Sequence, residues 1–460
     1  MIEPLSEYYR LPQATVRFAT RTEPLSDLPG YFKVGNETVY GQYCGRRPAN
    51  SVRGGLRDAL QDARIENGTA QLPFSLEQVV DNLRLERYSP FSNGHSPMSS
   101  MLSGMYYFVR PVLPVDVRKH LQKIRLSGWE ELSFPHWPVD RTVDNVFEQL
   151  LLLALNTQGL EKIPFIWFWP DGASSCAVMT HDVETKAGRD FCETIMDVDD
   201  SFGIKASFQV VPEQRYEVPA SYLDLIRDRG FEVNVQDLNH DGRLFRERQE
   251  FLARAARINA YGRQYRASGF RSAILYRRLD WYDALEFSYD MSVPNVAHLD
   301  PQRGGCCTVM PYFVGKMLEI PVTATQDYTL FHILNDYSID LWKRQTSLIM
   351  EKHGLMGFIV HPDYVTGAPE RKVFEDLLEH MAELRNEKKV WVPLPREVDS
   401  WWRQRSEMHL VEDENGWRIE GPGSDRARIA YASQQDGRLV LSIEEPSKRV
   451  PSARLAIPAS

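Results

Sequence analysis

CAVMTHDVE, residues 176–184, is the stretch whose reading decides the fold. CAVM is a short apolar run, the length of a buried strand, and it leads into Asp182 and Glu184. In extended backbone, residues two apart share a face. Both carboxylates would therefore project from one strand end, with His181 on the other side. One member of such a pair can take a proton while the other holds a cation. Alone, the pair is more often a cap for the helix that follows, so its meaning depends on what surrounds it.

What surrounds it is repetition. IKASFQVVP (204–212), FEVNVQD (231–237), ASGFRSA (267–273), DALEFSYDMSV (283–293), KMLEIPVTA (316–324) and LMGFIVHPD (355–363) read as further strands. Between them GRDFCETIMDVDDSFG (188–203), ASYLDLIRDRG (220–230), RLFRERQEFLARAARINAYG (243–262) and SIDLWKRQTSLIMEKHG (338–354) have helical character, several ending at a glycine stop. Strands and helices alternating over about 220 residues predict an α/β fold of parallel strands with crossover helices, open or closed into a barrel. A chemically capable residue follows strand after strand: Asp182, His240, Arg271, Asp290 and His361. In parallel α/β folds, sites collect at the C-terminal strand ends.

The loop QDLNHDG (236–242) places Gln236 four residues before His240, where a second histidine would complete a metal-binding pair. Glutamine can ligate through its carbonyl oxygen, though more weakly than imidazole. Arg271 could hold a carboxylate ionised and oriented. His361, ending a buried strand, suits proton transfer near neutral pH. Taken singly, each of these is more often structural.

In their order, THDVE, QDLNH, RSAI, YDMSV and FIVH resemble the five motifs of the polysaccharide deacetylase superfamily, carbohydrate esterase family four, over residues about 171–395. The resemblance implies a distorted (β/α) barrel and hydrolysis of N-acetyl groups on a glycan or glycoconjugate. It implies a divalent metal, zinc by expectation, with Glu184, Gln236 and His240 at the ligand positions. It makes Asp182 the general base, Arg271 its orienting partner, His361 the acid and Asp290 the group that tunes His361. Three departures stand out. Gln236 replaces a histidine, Glu184 is one methylene longer than the usual aspartate, and Ala273 and Ile274 replace the family's proline and tyrosine. Asp237 or Asp241 could substitute as ligands. Two alternatives follow: a glycan-binding scaffold on the same barrel, or a hydrolase that works without a metal.

The flanks read differently. Residues 1–165 form an N-terminal α/β region, with strands in QATVRFATRT (13–22) and ETVYGQYCG (37–45) and helices in 75–89 and 143–159. Residues 166–400 are the barrel. Residues 403–460 alternate apolar and polar residues between ENG, GPG and QDG turns, the signature of a small antiparallel β module. A basic, tryptophan-containing piece at 110–141 reads as a connector, or as a contact with a membrane surface or a glycosyltransferase partner.

A net charge of -9 argues against a nucleic-acid partner. The longest apolar run, QLLLLALN (149–156), is too short to span a bilayer. No secretory signal is visible, and five scattered cysteines read as reduced thiols, so the expected location is the cytoplasm. The NET (36–38) and NGT (67–69) triplets then read as chance matches to the glycosylation pattern. A cytoplasmic precursor of surface polysaccharide is the substrate this setting suggests.

Overall fold

A computed structural model describes residues 3–13, 15–89, 126, 128–414 and 416–444. The chain divides into two compact units. One comprises Asp81–Asp144 and Ser174–Asp399; the other comprises Met1–Val80, Asn145–Ala173 and Ser400–Ser460.

The first unit is built on eight strands: β1 (Cys176–Val183), β2 (Ala206–Val210), β3 (Glu232–Gln236), β4 (Gly269–Arg271), β5 (Tyr289–Asp290), β6 (Tyr312–Val314), β7 (Met317–Glu319) and β8 (Leu355–Val360). Their order across the sheet is β6-β7-β5-β4-β3-β2-β1-β8. Every pairing is parallel except β6 with β7. Strands β1, β2, β3 and β8 are buried along their whole length. Helices cover the outside of a parallel sheet and side chains fill the inside, so β8 and the first half of β1 read as continuous apolar runs, whereas β3 buries the polar Glu232, Asn234 and Gln236 on one of its faces. The helices are α1 (Lys186–Ser201), α2 (Ala220–Asp228), α3 (Arg248–Tyr265), α4 (Asp340–Met350) and α5 (Ala368–Lys388).

The sheet curls until its two ends meet. After β7 the backbone runs to β8, where Ala324 N–H donates to the Gly357 carbonyl at 3.1 Å. The Thr323 hydroxyl donates to Leu355 O at 2.7 Å and accepts from Gly357 N–H at 2.8 Å. A side chain at Gly357 would place its Cβ 2.7 Å from the Pro321 carbonyl, so only glycine allows this approach. The result is the distorted (β/α) barrel that the sequence predicts, closed by an irregular segment rather than a ladder. DALEFSYDMSV shortens to the two-residue β5, Asp283 and Ala284 ending a 3₁₀ turn, Leu279–Ala284.

In the second unit the expected C-terminal module does not stand alone. Strand Ile429–Gln435 pairs with Arg438–Ile443 on one side and with Lys162–Ile166 on the other, so residues from both predicted flanks share one sheet. Buried Arg405 ties this unit together, donating to the carbonyls of Tyr8, Ile166 and Trp167 at 2.9, 2.7 and 3.0 Å. Burial pushes its pKa down to about 9. Of the basic piece at 110–141, residues 110–125 and 127 lie outside the described residues. Among the described residues no helix is long and apolar enough to cross a membrane. All five cysteines are free thiols and buried.

Candidate active site

Asp182 and Glu184 leave the C-terminal end of β1 on one face, as their spacing requires. Neither caps the following helix: Thr185 does, its hydroxyl accepting from Gly188 N–H at 3.0 Å. Gln236, the last residue of β3, spans the two carboxylates. Its Nε2 donates to Asp182 Oδ2 at 3.2 Å and to Glu184 Oε1 at 3.1 Å. Arg271, the last residue of β4, donates to Asp182 Oδ1 at 2.9 Å. His181, pointing the other way, packs with its Nε2 3.0 Å from Asp199 Oδ2 and its Nδ1 3.1 Å from Val360 O.

His361 follows β8. Asp327 holds it twice, accepting from the His361 backbone N–H at 2.7 Å and facing Nδ1 at 2.6 Å. Its Nε2 lies 3.5 Å from Glu184 Oε1. Asp182, Glu184 and His361 each bring a potential ligand atom within 4.8 Å of the others, forming a carboxylate–imidazole cluster of the kind that can hold a metal ion.

The environment pulls the two carboxylates apart. Burial pushes Asp182 above its ordinary value, against the opposing charges of Arg271 and His361. Burial works the same way on Glu184, but His240 and His361 outweigh it and hold that carboxyl well below. For His361, burial favours the neutral ring, yet Asp327 and Glu184 prevail and keep its pKa well above the imidazole norm. Carboxylates driven in opposite directions are a common mark of divided acid–base roles.

Asp290 does not make the expected contact with His361. The strand register sets it beside Phe270 of β4 and Glu319 of β7, with β7 between it and β8. Its carboxylate accepts from the Ser292 hydroxyl at 2.7 Å and the Ser292 N–H at 3.0 Å. Burial raises both pKa values; Asp290 pushes Glu319 further up, whereas hydrogen bonds with Glu319 and Ser292 pull Asp290 back down. The carboxylate on His361 comes instead from Asp327, because the segment after β7 is the one that returns to β8. Asp237 accepts from Leu238 N–H at 2.6 Å through Oδ1 and leaves Oδ2 buried without a hydrogen-bond partner, whereas Asp241 is clamped by Arg254 at 2.8 and 2.9 Å.

His240 sits on the loop after β3, with Nε2 2.7 Å from Glu184 Oε1. Arg215, on the loop after β2, donates from one Nη2 to the His240 carbonyl at 2.6 Å and faces His240 Nδ1 at 3.2 Å. A guanidinium has only donors to offer. Nδ1 must therefore be the accepting nitrogen, and the ring proton sits on Nε2, turned toward Glu184.

The implied metal fits this arrangement poorly. A ligating histidine normally gives its distal N–H to an acceptor, leaving the other nitrogen's lone pair for the metal. His361 has that arrangement, through Asp327; His240 has the reverse. Gln236 presents its amide hydrogens, not its oxygen, to both carboxylates. Two buried atoms, Gln236 Oε1 and His240 Nε2, have no hydrogen-bond partner of good geometry, the one feature a cation would relieve. Relieving it would need the glutamine turned over and the His240 proton moved to the nitrogen that faces Arg215.

Asp327 and Arg215 were not among the residues singled out from sequence. Both obey the rule that found the others, a capable side chain past a strand end: Asp327 past KMLEIPVTA, Arg215 past IKASFQVVP. The turn after Arg271 is unusual too. Ile274 and Leu275 hold positive φ of 59° and 53°, which branched and bulky side chains rarely adopt. Leu275 helps line a pocket at the same end of the strands, together with Trp137, Asp300, Val322, Gln326 and Gln345. There Gln326 Nε2 donates to Asp300 Oδ1 at 2.9 Å, and burial raises Asp300 to about 6.

Fold and cluster together define a (β/α) barrel with a cluster of carboxylates and histidines at its C-terminal strand ends. Solved structures matching it in fold include polysaccharide deacetylases and related esterases. A candidate polysaccharide deacetylase from Mycobacterium smegmatis is 16% identical with a TM-score of 0.42, the match covering 52% of this chain and 93% of that one. A family 4 acetyl xylan esterase from Clostridium thermocellum, in complex with a cobalt ion, is 13% identical with a TM-score of 0.31, covering 49% and 91%. A variant of a peptidoglycan deacetylase from Bacillus subtilis is 10% identical with a TM-score of 0.33, covering 52% and 95%. No family model and no curated protein matches the chain.

Proposed function

We propose that this chain is a hydrolase that removes N-acetyl groups from a glycan or glycoconjugate, with Asp182 as base and His361 as acid. The observation that carries the reading is the meeting of two separately braced groups. Asp182 is held by Arg271 and His361 by Asp327, and their functional atoms come within 4.8 Å. Asp182 takes the proton of the attacking water. His361, held protonated by its two carboxylate neighbours, gives a proton to the departing amine. Arg271 fixes which oxygen of Asp182 faces the substrate, and Asp290 lies close enough to interact with its charge. The order of the five motifs supports the N-acetyl substrate class. The zinc set of Glu184, His240 and Gln236 forms no part of this reading, for the hydrogen-bonding reasons above.

Acetate release from N-acetylated oligosaccharides and lipid-linked sugars is the test. The wild type should release acetate, whereas Asp182→Asn and His361→Ala should not. Tight sugar binding with no acetate from any N-acetylated glycan would instead make the barrel a binding scaffold.

A further inference from the structure

Around Glu184 the charge is met from three directions by nitrogen. Gln236 Nε2 is 3.1 Å from Oε1, His240 Nε2 2.7 Å and His361 Nε2 3.5 Å. Three neighbours converging on one carboxylate oxygen is the crowding expected around a bound cation, but here each neighbour can contribute a hydrogen. Gln236 makes the same contribution to Asp182, which Arg271 also neutralises. What fixes the pattern is Arg215, which comes from another loop and does not touch the carboxylates itself. By facing His240 Nδ1 it assigns the ring proton to the nitrogen that meets Glu184.

We propose that N–H donors stand in for the divalent cation in this barrel, with Arg215 as the positioning residue that sets the His240 tautomer. Two sequence changes act together in this account. Gln236 replaces an imidazole lone pair with a pair of amide hydrogens. Arg215 turns the remaining loop histidine from a ligand into a donor. The inference concerns the charge facing Glu184 and holds whether or not the site hydrolyses an amide.

The test uses the full chain, with zinc and cobalt(II) as probes. After chelator treatment the wild type should take up no zinc in a calorimetric titration, show no cobalt ligand-field absorption, and melt at the same temperature with or without added zinc. In histidine ¹⁵N spectra, His240 should carry its proton on Nε2; in Arg215→Met the Nδ1–H form should appear. Arg215→Met combined with Gln236→His should bind one cobalt per chain and gain roughly 5 °C in Tm with saturating metal. A wild type that binds one zinc per chain and loses it on His240→Ala would overturn the proposal, as would a wild-type His240 with its proton on Nδ1. Neither readout depends on acetate release, so failure of the hydrolase reading and failure of this one are separable.

Discussion

Two histidines approach the same carboxylate from opposite sides of the barrel, and they differ in what stands behind them. His361, at the end of β8, has a carboxylate on Nδ1; His240, on the loop after β3, has a guanidinium there. The first partner draws a proton onto Nδ1 and stabilises positive charge on the ring. The second leaves Nδ1 as an acceptor and sends the proton to Nε2. The same side chain, at similar depth and facing the same Glu184, is thus set up for positive charge in one place and as a neutral ring with its proton on Nε2 in the other. The function of a histidine is set by the partner behind it as much as by the group it faces.

The largest expected effect comes from removing each ring in turn. His361→Ala should lower kcat/KM by about 10³-fold, the scale of a lost general acid. His240→Ala should cost far less, because its hydrogen only helps hold Glu184. Acetate-release kinetics on both variants would check this, and equal losses would mean that the two rings act as one unit, as ligands of a common ion would.

Next comes the carboxylate between them. Glu184→Gln removes the charge that both rings face and leaves His361 with Asp327 alone. Removing one member of a buried charged pair is costly. The side chain is 19% exposed, so solvent softens the loss. A decrease of about 2 kcal/mol in denaturant-derived stability is expected.

Asp327→Asn sharpens the contrast through pH. The His361 pKa is raised in the folded protein. Its contribution to stability is therefore fully present below the unfolded imidazole value of about 6.5, and is lost as pH rises through the higher folded value. The variant should be less stable than the wild type by at least about 1 kcal/mol near pH 5.5, with the gap narrowing on the alkaline side. A gap that does not change with pH would mean that Asp327 merely packs.

How much of this was legible depended on what each residue had to do. The strands β1 and β8 could be read because burial on both faces favours a continuous apolar run, while β3 showed itself through alternating valines between buried polar residues. Asp182, Arg271 and His361 could be read because each lies at or just past such a run. Asp290 was placed correctly on its strand but given the wrong neighbour, since partner choice depends on strand order across the sheet, and the order after β4 follows no local pattern. Asp327 lies eight residues beyond Glu319, on the irregular segment that closes the barrel. Only the closure, made by Thr323, Ala324 and Gly357, brings it to His361. The merging of 162–166 with 429–435 was hidden for the same reason: an antiparallel pairing across more than half the chain leaves no local trace.

The smallest expected effect bears most directly on the comparison. Arg215 is exposed, and a surface arginine facing an uncharged ring nitrogen and a carbonyl contributes little to stability. Arg215→Met should change the unfolding free energy by less than about 0.5 kcal/mol. The same substitution removes the only donor found on His240 Nδ1 among the described residues, so the ring becomes free to adopt the tautomer His361 already has. A thermal melt that barely moves, beside a histidine ¹⁵N spectrum that does, would show that one exposed guanidinium sets the chemical difference between the two rings. If Arg215→Met destabilised the protein by several kcal/mol, the contact to the His240 carbonyl would be a structural clamp, and the difference between the rings would have to come from Glu184 itself.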